Sequence, residues 1–220
     1  MIAGFGIVAA HFREFAAGLA NTLWLAGATL VLASVLGCIL AALMLSRTRF
    51  VRTSIGLFVD AMRCVPFLLL AYLVYYGLPE LGIRFDSWSS GLSALAVYHA
   101  CYVAEIVRGA WSHLPREQIE AGRAYGFSGY ALFRRVVLPQ LFFAAAPLIG
   151  NQTVYIIKDT AFLMIITVPE LTFVASSIQA TYFVPFASFM FAMALYWIVT
   201  LVVEASVRRI EAAAETRRAG

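Results

Sequence analysis

The sequence predicts an all-α integral membrane bundle of five transmembrane helices, with six as the alternative. Three observations carry this. Of the 220 residues, 62% are apolar, where soluble domains reach about 45–50% even with glycine counted. Only 13% are charged, against about 25% in an ordinary soluble domain, and mean hydropathy is +0.85. The charges are also gathered into short stretches between long apolar ones. A soluble globular enzyme is excluded on these grounds, and so is a disordered chain, which needs low hydrophobicity.

Between Glu14 and Arg47 stand 32 residues without a formal charge. A helix needs about 20 apolar residues to cross a bilayer core, so a first span fits at residues 19–45. A second apolar stretch, 54–78, carries Asp60 and Arg63 and ends at Pro79 and Gly82, which break helices. A third, 88–107, carries His99 and Glu105. A fourth opens at Pro139, a favoured first-turn residue, and runs to about residue 160. The last covers 185–207. Residues 169–185 hold Thr172, Ser176, Ser177, Gln179 and Thr181. They read as an external amphipathic helix plus loop, or as the sixth span.

Five spans put residues 47–52, the loop 108–138 and the tail from Arg208 on one side. Those pieces hold twelve of the sixteen basic residues: Arg47, Arg49, Arg52, Arg108, Arg116, Arg123, Arg134, Arg135, Arg208, Arg209, Arg217 and Arg218. The other side holds Arg13 and Arg84. Cytoplasmic loops carry the Lys/Arg excess, so the N-terminus is expected outside and the C-terminus in the cytoplasm. The net charge of +4 then reports a cytoplasmic face and not nucleic acid. Cys38, Cys64 and Cys101 form no metal-ligand spacing and read as small buried hydrophobes. His11, His99 and His113 fall on both sides of the membrane and within it, which rules against a three-histidine metal site.

The loop 108–138 is organised. Pro115 opens a helix whose first turns hold Glu117 and Glu120, where the helix dipole favours negative charge. Ala121, Gly122 and Ala124 give it a small-residue surface. Gly126 can take the left-handed conformation that ends a helix. Ser128 can cap a second helix in which Leu132, Phe133, Val136 and Val137 recur at helical spacing. An interfacial loop and a docking helix both fit this pattern.

Glu120-Ala121-Gly122, then Gly126, then Val137-Leu138-Pro139-Gln140 resembles the EAA–G–LP signature of the permease subunits of bacterial ABC importers. Further stretches resemble the polar amino acid branch of that family. They are Arg63-Cys64-Val65-Pro66, Tyr76-Gly77-Leu78-Pro79, residues 102–109, Asn151, Lys158-Asp159-Thr160 and Pro169-Glu170-Leu171. They stand in the family's order over nearly the whole chain. Gly122 replaces an alanine of the signature, Phe67 and Ala161-Phe162 depart from the family's pattern, and His99 stands where an asparagine is common.

The resemblance implies the importer permease fold and a single permease domain, 1–220, in the bacterial inner membrane. It implies alternating access driven by cytoplasmic ABC ATPase subunits, which would dock through Glu117, Glu120, Ala121, Gly122, Ala124 and Gly126. A second permease copy or sister permease and an extracytoplasmic amino-acid-binding protein complete the expected set. No cofactor is expected on this chain, and ATP with Mg belongs to the ATPase. In keeping with that, the sequence has no G-x-x-x-x-G-K-[ST] loop and no G-x-S-x-G elbow. The alternatives are an ATPase-independent transporter or channel, and an importer of an opine or another small zwitterion.

Asp60, Arg63, Glu105, Lys158 and Asp159 sit at membrane depth, where an ionised side chain facing lipid costs about 2.5–3.5 kcal/mol. They are expected to face the bundle, a cavity or one another. Asp60 and Arg63, three apart, share a helical face and can pair, as can Glu105 and Arg108. A zwitterionic substrate needs an anion for its ammonium and a cation for its carboxylate. Arg63, Asn151, Lys158, Asp159 and Thr160 are the candidates along its path.

Overall fold

A computed structural model describes residues 2–219 of the chain and the side chains of residues 4–209. The side chains of Arg217 and Arg218, counted in the basic tail, lie outside them. The helices are α1 (Ile2–Ala10), α2 (Phe12–Met44), α3 (Arg49–Cys64), α4 (Phe67–Tyr72), α5 (Ser87–Ser112), α6 (Arg116–Ala124), α7 (Gly129–Leu132), α8 (Leu138–Thr160), α9 (Leu171–Tyr182) and α10 (Pro185–Ala219). Among the described residues there is no strand. Four helical stretches are long and apolar enough to cross a membrane, and α3 with the segment Phe67–Leu81 meets the same test only as a bent pair.

The bundle is built on α2 and α5. Ala33, Gly37 and Ala41 recur every four residues on α2, and all three are buried. A Cβ at Gly37 would stand 2.6 Å from Val103 Cβ and 2.9 Å from the Ala100 carbonyl oxygen, so the two backbones approach as closely as a side chain's absence allows. Small residues spaced in this way are how helices associate without a hydrophobic gradient between them. α2 starts at Phe12, seven residues before the predicted span. Its 33 residues rise about 50 Å, more than the hydrocarbon thickness of about 30 Å.

The second predicted span is not one helix. Val65 and Pro66 are extended, at ψ 135° and 131°, and the axis turns by 103°. Pro66 lacks the N–H that would bond back to Met62, and its ring pushes Val65 out of the helical region. The proline therefore separates two helices instead of kinking one.

The fourth span also differs. The helical path begins at Gly129, ten residues before Pro139, and continues to Ile166. Its turn widens to a π-bulge over Phe133–Val137. Pro139 would otherwise clash with the carbonyl four residues back, and the wider turn is where the chain absorbs it. Ser128 precedes α7, but its side chain makes no capping hydrogen bond; its carbonyl accepts from Ala131 N at 3.1 Å.

α9 has twelve residues, about 18 Å of rise. That is too short for a sixth span. It packs through Leu171, Ala175 and Ile178 against Phe15 of α2 and Ala187 and Ala192 of α10. Glu170, fully buried, caps it. Its carboxylate accepts from Thr172 N at 2.9 Å, Phe173 N at 2.6 Å and the Tyr196 hydroxyl at 2.7 Å. Thr22 Oγ1 accepts from Leu171 N at 3.1 Å, and Asn21 Nδ2 donates to the Pro169 carbonyl at 2.7 Å. The buried carboxylate thus ties α9 to α10, and Asn21 and Thr22 tie α2 to the backbone beside it. At the opposite end Ala110 of α5 packs on Leu141 and Ala145 of α8, next to the α6–α7 hairpin.

Cys101 is buried, but Cys38 and Cys64 are exposed. A small apolar side chain on a membrane helix meets lipid at little cost, so apolar sequence context does not imply burial within the chain.

Candidate functional site

Two constellations stand out, the hairpin outside the bundle and a polar cluster inside it.

In the hairpin, α6 ends at Gly126, at φ +84°. Phe127 N donates to the Gly122 carbonyl at 3.1 Å and Gly126 N to the Arg123 carbonyl at 2.9 Å. This pair of bonds is the Schellman arrangement, for which a residue at positive φ is needed. The chain then reverses into α7, and the Arg135 guanidinium lies 5.4 Å from the Phe127 ring centre. Glu117, Glu120, Ala121 and Ala124 are exposed. Gly122 is buried, which departs from a small-residue surface for a partner. A Cβ there would stand 2.8 Å from Leu132 Cδ1 and 3.1 Å from Val136 Cγ2. Gly122 seats α6 on its own hairpin, while the acidic residues face outward.

Inside the bundle the residues sit at the junction of α3, α4, α5 and α8. His99, fully buried, has Gln152 Nε2 2.7 Å from its Nδ1 and Asp159 Oδ2 3.5 Å from its Nε2. An amide nitrogen only donates, so Nδ1 accepts, and a neutral ring carries its proton on Nε2, toward Asp159. That Nε2 has no hydrogen-bond partner. Asp159 keeps 21% of its side chain exposed, so its carboxylate is reachable.

The wall around this pair is aromatic. Phe67 packs on Tyr98, His99 and Phe162 with ring centres 5.3, 6.4 and 6.2 Å apart. Tyr98 and Tyr102 hydroxyls are 3.2 Å apart, and the Tyr102 hydroxyl donates to the Arg63 carbonyl at 3.3 Å. The Arg63 guanidinium lies 5.5 Å from the Tyr102 ring centre and 3.8 Å from Asp60. Polar donors, a carboxylate and a guanidinium thus stand around one aromatic-walled junction, and these are the kinds of group that recognise charged ends of a zwitterion.

Arg63 and Asp159 therefore belong to one region, bridged by Tyr98, His99 and Tyr102. The other three path candidates fall elsewhere. Lys158 is exposed, with its ammonium 6.0 Å from the Tyr155 ring centre. Asn151 is exposed. Thr160 is buried, and its hydroxyl is spent on the Ile157 carbonyl at 2.7 Å. Glu105 and Arg108 form a two-bonded pair, with Arg108 Nε to Glu105 Oε2 at 2.9 Å.

Gln152, Tyr98, Tyr102 and Phe67 were not singled out from the sequence. A signal for Gln152 was present: it lies seven residues before Asp159, two helical turns away on the same face. Nothing local points to the pairing of Gln152 with His99, 53 positions apart.

Comparison with known proteins gives one consistent pattern. Residues 33–216 match the family described as "Binding-protein-dependent transport system inner membrane component". The nopaline transport system permease protein NocM of Agrobacterium fabrum is 33% identical over 215 residues, covering 93% of this chain and 89% of that protein. The histidine/lysine/arginine/ornithine transport system permease protein HisM of Salmonella typhimurium is 33% identical over 204 residues, 88% of this chain and 87% of that one. Among solved structures, an amino acid ABC transporter crystallised with histidines aligns with a TM-score of 0.88 at 26% identity, over 95% of this chain and 98% of that chain.

Proposed function

The chain belongs to the family of binding-protein-dependent transport system inner membrane components, and on that premise we propose how its parts divide the work of importing a polar amino acid. It is a multi-pass permease of the inner membrane and the transport component of an ABC importer, with ATP hydrolysis on a separate subunit. The α6–α7 hairpin lies in the cytoplasm with the Arg-rich end of the bundle, and the N-terminus lies outside. Residues 108–138 form the coupling loop. Glu117, Glu120, Ala121 and Ala124 meet the ATPase, and Gly122 and Gly126 shape the helix that presents them. ATP and Mg sit on the ATPase, with no cofactor on this chain. A second permease, identical or a sister chain, completes the path, and an extracytoplasmic binding protein delivers the cargo. ATP-driven closure of the ATPase pair moves α6, and the spans attached to it switch the cavity between its two faces.

One observation carries the coupling role. α6 is an exposed helix that presents Glu117 and Glu120 and is held against its own hairpin by a buried glycine, so a push on α6 is transmitted to α8 through Leu132 and Val136. The test is Glu120→Lys in the assembled transporter. It is expected to lower ATPase co-purification and ATP-dependent uptake in proteoliposomes while membrane insertion stays normal. A full ATPase complement on that variant would refute the docking role.

For the cargo, Asp159 and His99 take the ammonium side and Arg63 the carboxylate side of a zwitterion, between the rings of Phe67, Tyr98 and Tyr102. NocM and HisM are equally similar, at 33%, and NocM is named for nopaline. An opine cargo is therefore the second reading. Titration of the partner binding protein with basic amino acids and with opines separates the two.

A further inference from the structure

His99 presents a buried donor that nothing in this state accepts. Its side chain is 1% exposed, and Nε2 has no hydrogen-bond partner. Donors this deeply buried are normally paired. The ring is held from its other side, where Gln152 Nε2 stands 2.7 Å from Nδ1. Asp159 Oδ2 stands 3.5 Å from Nε2, about half an ångström beyond an ordinary N–H···O bond. Among the described residues, this ring nitrogen is the one ion-pair contact of Asp159. The carboxylate has a second oxygen and keeps 21% of its side chain exposed, so it can take a further donor.

Charge sets the direction of this chain of donors. Gln152 and Asp159 lie seven residues apart on one face of α8, and the two ring nitrogens of His99, from α5, face one each. Were the Gln152 amide turned over, its oxygen would accept from Nδ1–H. A bare Nε2 would then face a carboxylate oxygen, lone pair against lone pair. An ionised Asp159 excludes that arrangement. The amide therefore donates to Nδ1, and the proton on Nε2 is aimed at Oδ2. An N–H cannot accept from an ammonium, so toward a cargo the ring works on the carboxylate and not on the cargo itself.

We propose that Gln152 is a positioning residue of the cargo site and acts through His99. The amide holds the ring, the ring's Nε2–H holds Oδ2 of Asp159, and the other carboxylate oxygen is left for the cargo's ammonium. This rests on the reading of Asp159 as the ammonium site and adds what orients it. In the state described here the last bond is open. An ammonium that fixes the carboxylate closes it.

The test uses the purified permease–ATPase complex in nanodiscs, its histidines isotopically labelled at the ring nitrogens for magnetic resonance, with tritiated L-arginine as the binding probe. Difference spectra against His99→Asn isolate the His99 resonances. In the unmutated complex Nε2 should be protonated and Nδ1 should not. Gln152→Met, similar in shape but without a donor, should shift the Nδ1 resonance. It should weaken arginine binding about fivefold, the factor that one neutral hydrogen bond supplies. In an Asp159→Asn background the same change should cost less than about twofold. An amide at position 159 can turn to meet either face of the ring, so the ring's protonation no longer matters there. A Gln152 that served only as a spacer between α5 and α8 would weaken binding equally in both backgrounds. Because Gln152→Met can fail to assemble, the unmutated complex supplies an independent readout: bound arginine should shift the Nε2 resonance and leave Nδ1 unprotonated. A protonated Nδ1 in the unmutated complex, an Nδ1 resonance that ignores Gln152→Met, equal losses in the two backgrounds, or an Nε2 resonance unmoved by bound arginine would each overturn the proposal. An unmutated complex that binds no arginine would count against the cargo reading instead, and the protonation of His99 and its response to Gln152→Met, which need no cargo, would still decide the role of Gln152.

Discussion

Removing the Glu170 carboxylate should loosen the end of the bundle that carries α9, by an amount the structure allows to be ordered in advance. The carboxylate accepts three hydrogen bonds, two from the first turn of α9 and one from the Tyr196 hydroxyl of α10. Glu170→Ala removes the cap, worth about 0.5–2 kcal/mol. It also strips a strong acceptor from a buried hydroxyl, at about 1–3 kcal/mol. Thr172 Oγ1, 3.0 Å from the same hydroxyl, remains as a partner and keeps that second cost near its lower end, for a total of about 1.5–3 kcal/mol. Glu170→Gln keeps one acceptor oxygen but turns an NH2 toward donors, and should cost about half as much. Tyr196→Phe leaves the cap intact and loses one bond, about 1 kcal/mol. Thermal unfolding of the purified transporter reads the series. At about 2–4 °C per kcal/mol for a chain of this size, Glu170→Ala should lower the midpoint by roughly 3–12 °C, more than either the glutamine variant or Tyr196→Phe. If Tyr196→Phe matched Glu170→Ala, or if Glu170→Ala left the midpoint unchanged, the carboxylate would not be what joins α9 to α10.

Other outcomes follow from the two constellations. Gly122→Ala should be almost neutral, since about 1 kcal/mol of helix propensity offsets the displacement of two flexible side-chain ends. Gly122→Val should overpack the hairpin by about 1–3 kcal/mol and uncouple ATP hydrolysis from uptake. Hydrolysis and uptake measured together in proteoliposomes check this, and a fully coupled valine variant would exclude the glycine seat. Asp159→Asn should raise the substrate concentration for half-maximal uptake about tenfold or more, the value of a lost charge-assisted hydrogen bond, with the transporter still assembled. His99→Ala should act in the same direction and more weakly, and uptake kinetics unchanged in both variants would remove the pair from the path.

The membrane class and the glycine-ended turn of the hairpin were legible in the sequence because each is local. Apolar runs, prolines and Gly126 act within a few residues of where they stand. The ABC-importer signature could be read for the same reason, since its residues lie in short ordered stretches. The partnership of His99 with Gln152 and Asp159 could not be read that way. It depends on how α5 and α8 are rotated against each other, and no periodicity within one helix states that. The direction of Gly122 was hidden too, because a small residue on a polar helix serves a partner's surface or its own hairpin equally well until Leu132 and Val136 are seen against it.

The sequence by itself determined that this chain dissolves in a bilayer and which stretches are helical. Those properties follow from solvation and backbone sterics, which are summed residue by residue. The tertiary structure decided that Pro66 divides two helices at 103°, that Glu170 joins α9 to α10, and that of five polar path candidates only Arg63 and Asp159 converge. Each of these depends on which distant surfaces meet. In a bundle whose helices are apolar on every side, hydrophobicity does not choose among those surfaces. Close packing at Gly37 and Gly150 and a few buried polar bonds do.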